Sequence, residues 1–253
     1  MSSDVIEDLH RIGLRASTDV LGALLAHATK SRQSPTEFSE QLVALELRER
    51  DTRNLARRTK MATLGTFSPL DRFEWNHPRA IDRDLYEQLL SLDFIKVGHN
   101  ALFRGPSGVG KTTLAQNIAL RALEKGFTVG FATLGAALAD LLKQESLPAV
   151  ERRLRRYTSP DLLVLDEIGY LPCDTRSADL LYNIVSRRHE QRSTIVTTNL
   201  AFKQWNTVFP GAACVVALVD RFAQHCHVLD IDADSWRQKT SSKSPPVKPP
   251  KPR

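Results

Sequence analysis

The sequence predicts an α/β protein with a mostly parallel sheet, and two observations support this fold class. After residue 100, short apolar segments that suit buried strands alternate with longer segments of helical periodicity. In addition, a glycine-rich turn separates the first of these strands from the first of these helices. Alternation of strand and crossover helix is typical of a parallel sheet that is covered by helices on both faces.

The strands of this α/β part are expected as short apolar runs. Between the first two runs, Leu114, Ile118 and Ala122 recur every four residues, and Gly126 then ends the segment. This periodicity predicts the first crossover helix. The five expected strands are residues 101–104, 127–133, 162–166, 194–198 and 227–231.

The segment that precedes the α/β part is expected to be helical. Residues 20–28 form an apolar stretch, and residues 35–62 have the pattern of an amphipathic helix. Residues 63–84 carry aromatic residues and prolines without a period, which indicates a packed connector. We therefore expect a helical domain of residues 1–65, an α/β domain of residues 66–240, and a basic tail of residues 241–253 that its five prolines keep disordered.

The overall composition is ordinary for a globular protein. Of the 253 residues, 42% are hydrophobic and 25% are charged. No apolar run approaches the roughly 18 to 20 residues that cross a bilayer, and the chain starts with acidic residues where a secretory signal would be basic and then apolar. Three cysteines without a CxxC pair argue against a disulfide framework and a structural zinc site. These features predict a cytoplasmic protein without a membrane partner.

An excess of basic residues suggests an anionic partner. Lys and Arg number 35, Asp and Glu number 29, and the formal net charge is +6. The basic residues concentrate in residues 48–60, 151–157 and 237–253. A solvated helix face or a solubilising tail is the alternative explanation for each run taken alone.

One cluster has the residue types of a metal site. His225, Cys226 and His227 are consecutive, and adjacent residues of an extended chain point to opposite faces. The three side chains therefore cannot converge easily, and no fourth ligand is evident nearby in the sequence. We do not expect a metal ion at this cluster.

The strongest motif is the sequence GPSGVGKT, which begins at Gly105 and fits GxxxxGK[ST] between a strand and a helix. Glycines allow backbone N–H groups to turn towards phosphate oxygens, and the positive end of the following helix points at the same anion. Lys111 can then reach the β- and γ-phosphates, and the Thr112 hydroxyl can bind Mg²⁺. The alternative is a tight turn without a ligand.

Two carboxylates follow a second apolar strand. The sequence LLVLDE places Asp166 and Glu167 at the carboxyl end of this strand, where open parallel sheets bind their ligands. Asp166 would hold Mg²⁺, directly or through water, and Glu167 would polarise the attacking water in a phosphoryl transfer. Without the preceding glycine-rich motif, the same residues would indicate only a strand that meets a turn.

Two further residues are candidates for the same site. Asn199 ends the strand STIVTT, where its amide could orient the attacking water or contact the γ-phosphate; a turn-forming asparagine is the alternative. Arg221 follows an apolar helical stretch and is a candidate finger for the γ-phosphate of a neighbouring subunit. An ordinary surface ion pair explains Arg221 equally well.

These motifs in this order resemble the AAA+ family, and within it the IstB-like helper ATPases of insertion-sequence transposition, which are near relatives of the bacterial DnaC helicase loaders. The resemblance covers roughly residues 35–240. DEIGYLP followed by a helix and STIVTTN is specific to this branch, whereas a P-loop alone indicates only the NTPase superfamily. The segments that carry the resemblance are EFSEQLVALELRERDTRNLARRTKMA, GPSGVGKTTLA, LLVLDEIGYLP, STIVTTN, FKQWNTVF and VDRFAQHCHVLDIDADSWR.

The resemblance implies a Mg²⁺-dependent ATPase that forms an ATP-dependent homo-oligomer on duplex DNA and delivers this DNA to a partner transposase of the same element. It assigns Asp166 and Glu167 to the Walker B motif, Asn199 to sensor 1, and Arg221 to a finger that acts across a subunit interface. A DnaC-like replicative helicase loader is the alternative, since it would share the ATPase core. The ATP-binding residues implied are Gly105, Pro106, Ser107, Gly108, Val109, Gly110, Lys111, Thr112 and Thr113.

The resemblance also implies that the N-terminal helical domain binds DNA and promotes assembly. Contacts from its basic residues to phosphates would carry affinity without reading the base sequence. Two positions depart from the family pattern, because Thr113 stands where these helpers commonly have His and Trp236 stands where Tyr is usual. Neither departure removes a catalytic group. The implied DNA-contacting residues are Arg48, Arg53, Arg57, Arg58 and Lys60.

Overall fold

The computed structural model describes residues 2–169 and 174–236. The chain divides into two compact units between Lys60 and Met61, and each unit is described by itself. The expected tail of residues 241–253 lies outside the described residues. Within the described ranges, every helix is either too short or too polar to span a membrane.

The N-terminal unit is built from three helices. Serine side chains set two of the helix starts: Ser17 accepts a hydrogen bond from the backbone N–H of Val20, and Ser34 and Glu37 form a reciprocal capping box. Pro35 follows this box at the first helical position, where its missing N–H costs nothing. The helices are α1 (Ser2–Arg11), α2 (Thr18–Ser31) and α3 (Pro35–Ala62), and α3 has the bounds that were predicted for a helix of residues 35–62.

The core of this unit is small and is completed by a buried carboxylate. Ile6, Ala16 and Leu21 are buried, and leucines from α2 and α3 pack against them. Glu46, on α3, is only 8% exposed and accepts hydrogen bonds from the backbone N–H groups of Arg15 (2.7 Å) and Ala16 (3.1 Å). Through these hydrogen bonds, Glu46 holds the turn between α1 and α2 against the middle of α3.

The second unit contains a six-stranded sheet with the order β1-β6-β2-β5-β4-β3. Five strands run parallel, and only β1 at the edge pairs antiparallel, with β6. The prediction of an α/β fold with a mostly parallel sheet is confirmed. The strands are β1 (Ala80–Ile81), β2 (Asn100–Arg104), β3 (Val129–Thr133), β4 (Leu162–Ile168), β5 (Ser193–Thr198) and β6 (Cys226–Asp232).

All five predicted strands are present, but the bounds of each differ from the structure by one or two residues at one end or both, and one further strand was not predicted. The third strand starts at Val129 instead of residue 127, because Thr128 turns its backbone N–H to the Asp161 carboxylate (2.8 Å) instead of a neighbouring strand. The edge strand β1 was not predicted, since two residues are too few to produce a periodic pattern.

Eight helices of the second unit are described. Short polar side chains start several of them: Asp82, Thr133, Ser146 and Asp174 each accept a hydrogen bond from a backbone N–H of the first turn. Three of the helices, α7, α8 and α9, pack against one another. The helices are α4 (Arg83–Leu90), α5 (Asp93–Lys96), α6 (Lys111–Glu124), α7 (Leu134–Leu142), α8 (Leu147–Thr158), α9 (Thr175–Arg188), α10 (Trp205–Val208) and α11 (Val215–Ala223).

Candidate functional site

The glycine-rich loop connects β2 to α6, and its glycines are required by close contacts and by backbone conformation. A Cβ atom on Gly105 would lie 2.3 Å from the carbonyl oxygen of Ile231, and one on Gly110 would lie 2.7 Å from the ring of Phe73. Gly108 and Gly110 also have φ angles of +80° and +95°, which L side chains rarely adopt. The loop can therefore keep this shape only with glycine at these positions.

Lys111 is the first residue of α6 and is 6% exposed. Its Nζ atom donates hydrogen bonds to the carbonyl oxygens of Gly105 (2.7 Å) and Pro106 (2.6 Å), so the ammonium group lies over the loop. A cavity of about 220 Å³ opens at this point, with the loop and the start of α6, residues 107–113, on one side. The predicted residue Thr113 belongs to this lining.

Two hydroxyl groups surround the buried carboxylate of Asp166. The Thr112 Oγ1 atom lies 3.0 Å from both carboxylate oxygens, and the Thr197 hydroxyl donates to Oδ1. Asp166 is 3% exposed, and the neighbouring residue Glu167 lines the cavity. The structure thus brings the predicted residues Lys111, Thr112 and Glu167 to one cavity, with Asp166 directly behind Thr112.

Aromatic rings form another part of the cavity lining. Phe73 comes from the connector ahead of β1, and Trp236 comes from the segment after β6. His77, also in the connector, contacts the segment after β6: its ring is 4.8 Å from the Trp236 ring in an edge-on arrangement, and its Nε2 atom donates to the carbonyl oxygen of Asp234 (2.9 Å). The cavity therefore has a partly apolar side next to a polar loop.

Backbone and ionic contacts hold these two segments in place. The Trp236 backbone N–H donates to the carbonyl oxygen of Gly108 at 3.0 Å, which ties the segment after β6 to the glycine-rich loop. The Arg79 backbone N–H donates to the Asp232 carbonyl oxygen at 2.7 Å, and its guanidinium pairs with the carboxylates of Asp232 (3.1 Å) and Asp234 (3.2 Å). These contacts join the connector to the segment after β6, and both segments contribute residues to the cavity lining.

Two of the predicted catalytic residues, Asn199 and Arg221, neither line this cavity nor contact its lining residues through a described hydrogen bond. Asn199 directly follows β5, and its side-chain oxygen lies close to Gly169, 3.2 Å from the place that a Cβ atom there would take. Arg221, on α11, donates to the Ser186 hydroxyl, and its guanidinium lies 5.0 Å from the centre of the Tyr182 ring. Within its own chain, Arg221 is therefore attached to α9 and not to the cavity.

The five predicted DNA-contacting residues all belong to α3, but they do not share a face. At about 100° per residue, Arg53, Arg57 and Lys60 fall within about 60° of one another, whereas Arg48 and Arg58 lie about 140° to either side of Arg53. Arg53 also donates to the backbone carbonyl of Arg15, and Arg57 donates to Asn54 (3.5 Å).

Sequence reasoning missed several residues of the cavity lining. Phe73 and His77 occur in a connector without periodicity, where nothing distinguishes a lining residue from a packing residue. Thr197 occurs in a β-branched strand, where threonine is common for structural reasons alone. Two features of the sequence could have indicated these residues: the many aromatic residues of residues 63–84, and the two threonines, Thr197 and Thr198, that end β5.

This chain is similar to several proteins that are named for insertion sequences. It is 37% identical to the ATP-binding protein named for insertion sequence IS232 of Bacillus thuringiensis subsp. berliner, over 80% of this chain and 82% of that protein. It is 33% identical to the one named for IS21 of Pseudomonas aeruginosa, over 88% of this chain and 84% of that protein. A crystal structure of the DnaC helicase loader has the same fold, with a TM-score of 0.50 and 19% identity, over 70% of this chain and 99% of that one. The family model described as "IstB-like ATP binding protein" matches residues 8–244, so this chain belongs to the IstB-like family.

Proposed function

We propose that this protein is an ATP-hydrolysing regulator of transposition that assembles on duplex DNA and recruits or stimulates the transposase of the same element. The observation that carries the proposal is the contact of Thr112 with both oxygens of the buried Asp166, beside the cavity above Lys111. A hydroxyl, a carboxylate and an ammonium group at a glycine-rich loop have the chemistry that binds the phosphates and metal of a nucleoside triphosphate.

The phosphates would bind between the loop and Lys111. The ammonium group of Lys111 now donates to two loop carbonyls, and on binding it would donate to phosphate oxygens instead. Because α6 begins at Lys111, the positive end of the helix dipole also faces this point. Both features favour an anion at the same place.

The residues around Asp166 fit a magnesium ion. Asp166 is a buried carboxylate whose described hydrogen bonds come from the hydroxyls of Thr112 and Thr197. Oxygen donors of this kind, few in number and completed by substrate phosphates, are the set that Mg²⁺ prefers. Thr112 and Asp166 would hold the ion, which when bound neutralises charge on the phosphates.

Hydrolysis is assigned to three residues. Glu167 lines the cavity next to Asp166 and would accept the proton of the attacking water. Asn199, at the end of β5, would orient the water or contact the γ-phosphate. Arg221 does not line the cavity of its own chain and bonds to Ser186 instead, so we assign it to the γ-phosphate bound by a neighbouring subunit, as in other NTPases that use an arginine finger.

The base of the nucleotide would lie against the aromatic side of the cavity. Phe73, His77 and Trp236 offer ring surfaces, and a purine base binds such surfaces by stacking at about 1 to 3 kcal/mol per base. This side lies next to the glycine-rich loop, because the Trp236 backbone bonds to Gly108. The rings therefore adjoin the phosphate site, which is the arrangement that one bound nucleotide requires.

DNA binding and the transposase partner are supported by the family and by charge. The relatives are named for insertion sequences, and we extend the association with transposition to this chain. Arg53, Arg57 and Lys60 form one basic face of α3 that suits phosphate contacts. A replicative helicase loader is the second candidate, because the DnaC helicase loader has the same fold.

Phosphate release with and without duplex DNA tests the proposal, with Glu167→Gln as the key variant. We expect Mg²⁺-dependent hydrolysis by the natural protein, and ATP binding without hydrolysis by Glu167→Gln, which electron microscopy should show as stable multimers on DNA. Glu124→Gln, at the exposed end of α6, is the matched control and should hydrolyse ATP normally. Absence of nucleotide binding by folded protein would refute the proposal, and loading of a replicative helicase without any effect on the transposase would favour the second candidate.

A further inference from the structure

We infer that Thr197 is the positioning residue that sets the orientation of both carboxylates at this site. The inference rests on the proposed function, since it concerns the residues assigned to magnesium and to water. Thr197 lines the cavity, although the residue as a whole is 1% exposed. It lies within the STIVTTN segment, but the sequence analysis predicted no role for it.

The pairing of β4 with β5 changes register at this residue. Leu165 pairs with Val196, and the next pair is Ile168 with Thr198. Two residues of β4, Asp166 and Glu167, therefore lie opposite the single residue Thr197 of β5. This two-to-one arrangement is a β-bulge, a feature that re-aims side chains and interrupts the ladder of backbone hydrogen bonds.

The side chain of Thr197 replaces part of that interrupted ladder. Its Oγ1 atom accepts a hydrogen bond from the backbone N–H of Glu167 at 3.0 Å, and its hydroxyl donates to Oδ1 of Asp166. A hydroxyl has one hydrogen and two lone pairs, so it can make both bonds at once. One side chain thus holds the backbone of Glu167 and the carboxylate of Asp166.

The backbone of Glu167 needs such support. Its φ angle is +64°, in the left-handed region that residues other than glycine rarely adopt. Conformations of this kind persist when neighbouring groups fix them, and the hydrogen bond from the Glu167 N–H to Thr197 is such a constraint. Loss of the hydroxyl would remove the hydrogen bond that holds the Glu167 N–H and, at the same time, one of the two hydroxyl contacts to Oδ1 of Asp166.

Thr198 provides a matched control from the same strand. It is also buried and β-branched, and its hydroxyl also makes two hydrogen bonds, donating to the carbonyl oxygen of Ile168 (2.7 Å) and accepting from the N–H of Leu200 (3.0 Å). Neither bond involves a carboxylate. A purely structural role for threonine hydroxyls in β5 predicts equal effects at the two positions.

The test compares Thr197→Val, Thr197→Ser and Thr198→Val in the full chain. Two quantities are measured: the Kd for ATP with Mg²⁺ and with EDTA, and the kcat and KM of hydrolysis. For Thr197→Val we expect the Kd for ATP in EDTA to be unchanged. Mg²⁺ should lower this Kd by a factor about tenfold smaller than in the natural protein, and kcat should be at least about tenfold lower. Both changes have the size expected for the loss of one hydrogen bond to a charged group. Thr197→Ser keeps the hydroxyl and should restore both quantities, whereas Thr198→Val should leave both within about threefold of the natural protein.

Several results would overturn the inference. A folded Thr197→Val protein with normal Mg²⁺ response and normal kcat would do so, and so would equal losses in Thr197→Val and Thr198→Val. If Thr197→Val does not fold, Thr197→Cys carries the same test, because its thiol is of similar size but a weak donor. Absence of ATP binding or hydrolysis by the natural protein would instead refute the proposed function.

Discussion

Thr112 and Asp166 are 54 positions apart in the sequence, yet the Thr112 hydroxyl lies 3.0 Å from both oxygens of the Asp166 carboxylate. Thr112 belongs to α6, which follows β2, and Asp166 belongs to β4; the strand β5 lies between β2 and β4 in the sheet. Thr197, from that intervening strand, bonds to the same carboxylate. The three residues therefore meet at the carboxyl ends of three adjacent strands, where open α/β sheets bind ligands.

Replacement of Lys111 by alanine is expected to abolish nucleotide binding. The substitution removes the ammonium group above the loop. We expect the Kd for ATP to rise at least about 100-fold, because roughly 3 kcal/mol of charge-assisted hydrogen bonding to the phosphates is lost. Lys125→Ala, at the C-terminal end of the same helix, is the control and should bind normally. Calorimetry measures both values, and tight ATP binding by Lys111→Ala would contradict the assignment of the loop.

Replacement of Trp236 by alanine should weaken binding of the base and spare binding of the phosphates. We expect the Kd for ATP to rise about 5- to 150-fold, from the loss of roughly 1 to 3 kcal/mol of stacking, while the Kd for inorganic tripolyphosphate stays unchanged. Trp75→Phe is the control, because Trp75 packs on Phe73 and Tyr86 and is not part of the cavity lining. Equal losses for ATP and tripolyphosphate would show a damaged loop instead of a base site.

The fold and the phosphate-binding part of the site could be predicted from local sequence because their determinants are local. Buried parallel strands such as β4 are continuous apolar runs, and the glycine-rich loop has its glycines and Lys111 within one short segment. These features are visible without knowledge of any tertiary contact. The fold class and the alternation of the five predicted strands with helices were correct for this reason.

The rest of the site depends on contacts between distant segments. His77 bonds to Asp234 across 157 positions, and no pattern in either segment indicates the other. The bulge at Asp166 and Glu167 depends on the register between β4 and β5, which is set by packing on both faces of the sheet. The aromatic side of the cavity and the role of Thr197 therefore became visible only in the folded chain.

Replacement of Arg221 by alanine is expected to leave ATP binding intact and to lower kcat about 10³-fold or more, as for other arginine fingers. A finger acts between subunits, so mixing Arg221→Ala with Glu167→Gln should restore part of the hydrolysis that each variant lacks alone. Arg187→Ala, which removes an exposed ion pair with Glu151, is the control and should hydrolyse ATP normally. If the mixture recovers nothing, Arg221 does not act in trans.

The basic face of α3 should determine the salt dependence of DNA binding. Arg53, Arg57 and Lys60 lie within about 60° of one another on the helix. Neutralising all three should therefore make the slope of log K against log salt concentration less steep. Its magnitude should fall by about 0.9 for each phosphate that is no longer neutralised by a basic side chain. Arg48→Gln, on another face of α3, should leave the slope unchanged. If Arg48→Gln changes the slope and neutralising the other three residues does not, the DNA binds a different surface.

Protonation of Glu46 should loosen the turn between α1 and α2. Burial raises the pKa of Glu46, but hydrogen bonds from Arg50, Arg15 and Ala16 outweigh this effect and hold the pKa below its ordinary value of 4.5. For a carboxyl whose pKa is lowered by folding, the stabilisation is fully present above about pH 4.5 and is lost as the pH falls through the lowered pKa.

Hydrogen exchange at the Ala16 amide measures the effect of Glu46 directly. With rates corrected for the intrinsic pH dependence of exchange, protection of this amide should fall between pH 6 and pH 3 in the natural protein, because its acceptor loses its charge. In Glu46→Gln, protection should be lower at pH 6 and nearly independent of pH, since an amide oxygen accepts more weakly and does not titrate. Glu40→Gln, an exposed substitution on the same helix, should behave like the natural protein. Constant protection of the natural protein across this range would mean that the charge of Glu46 does not hold the turn.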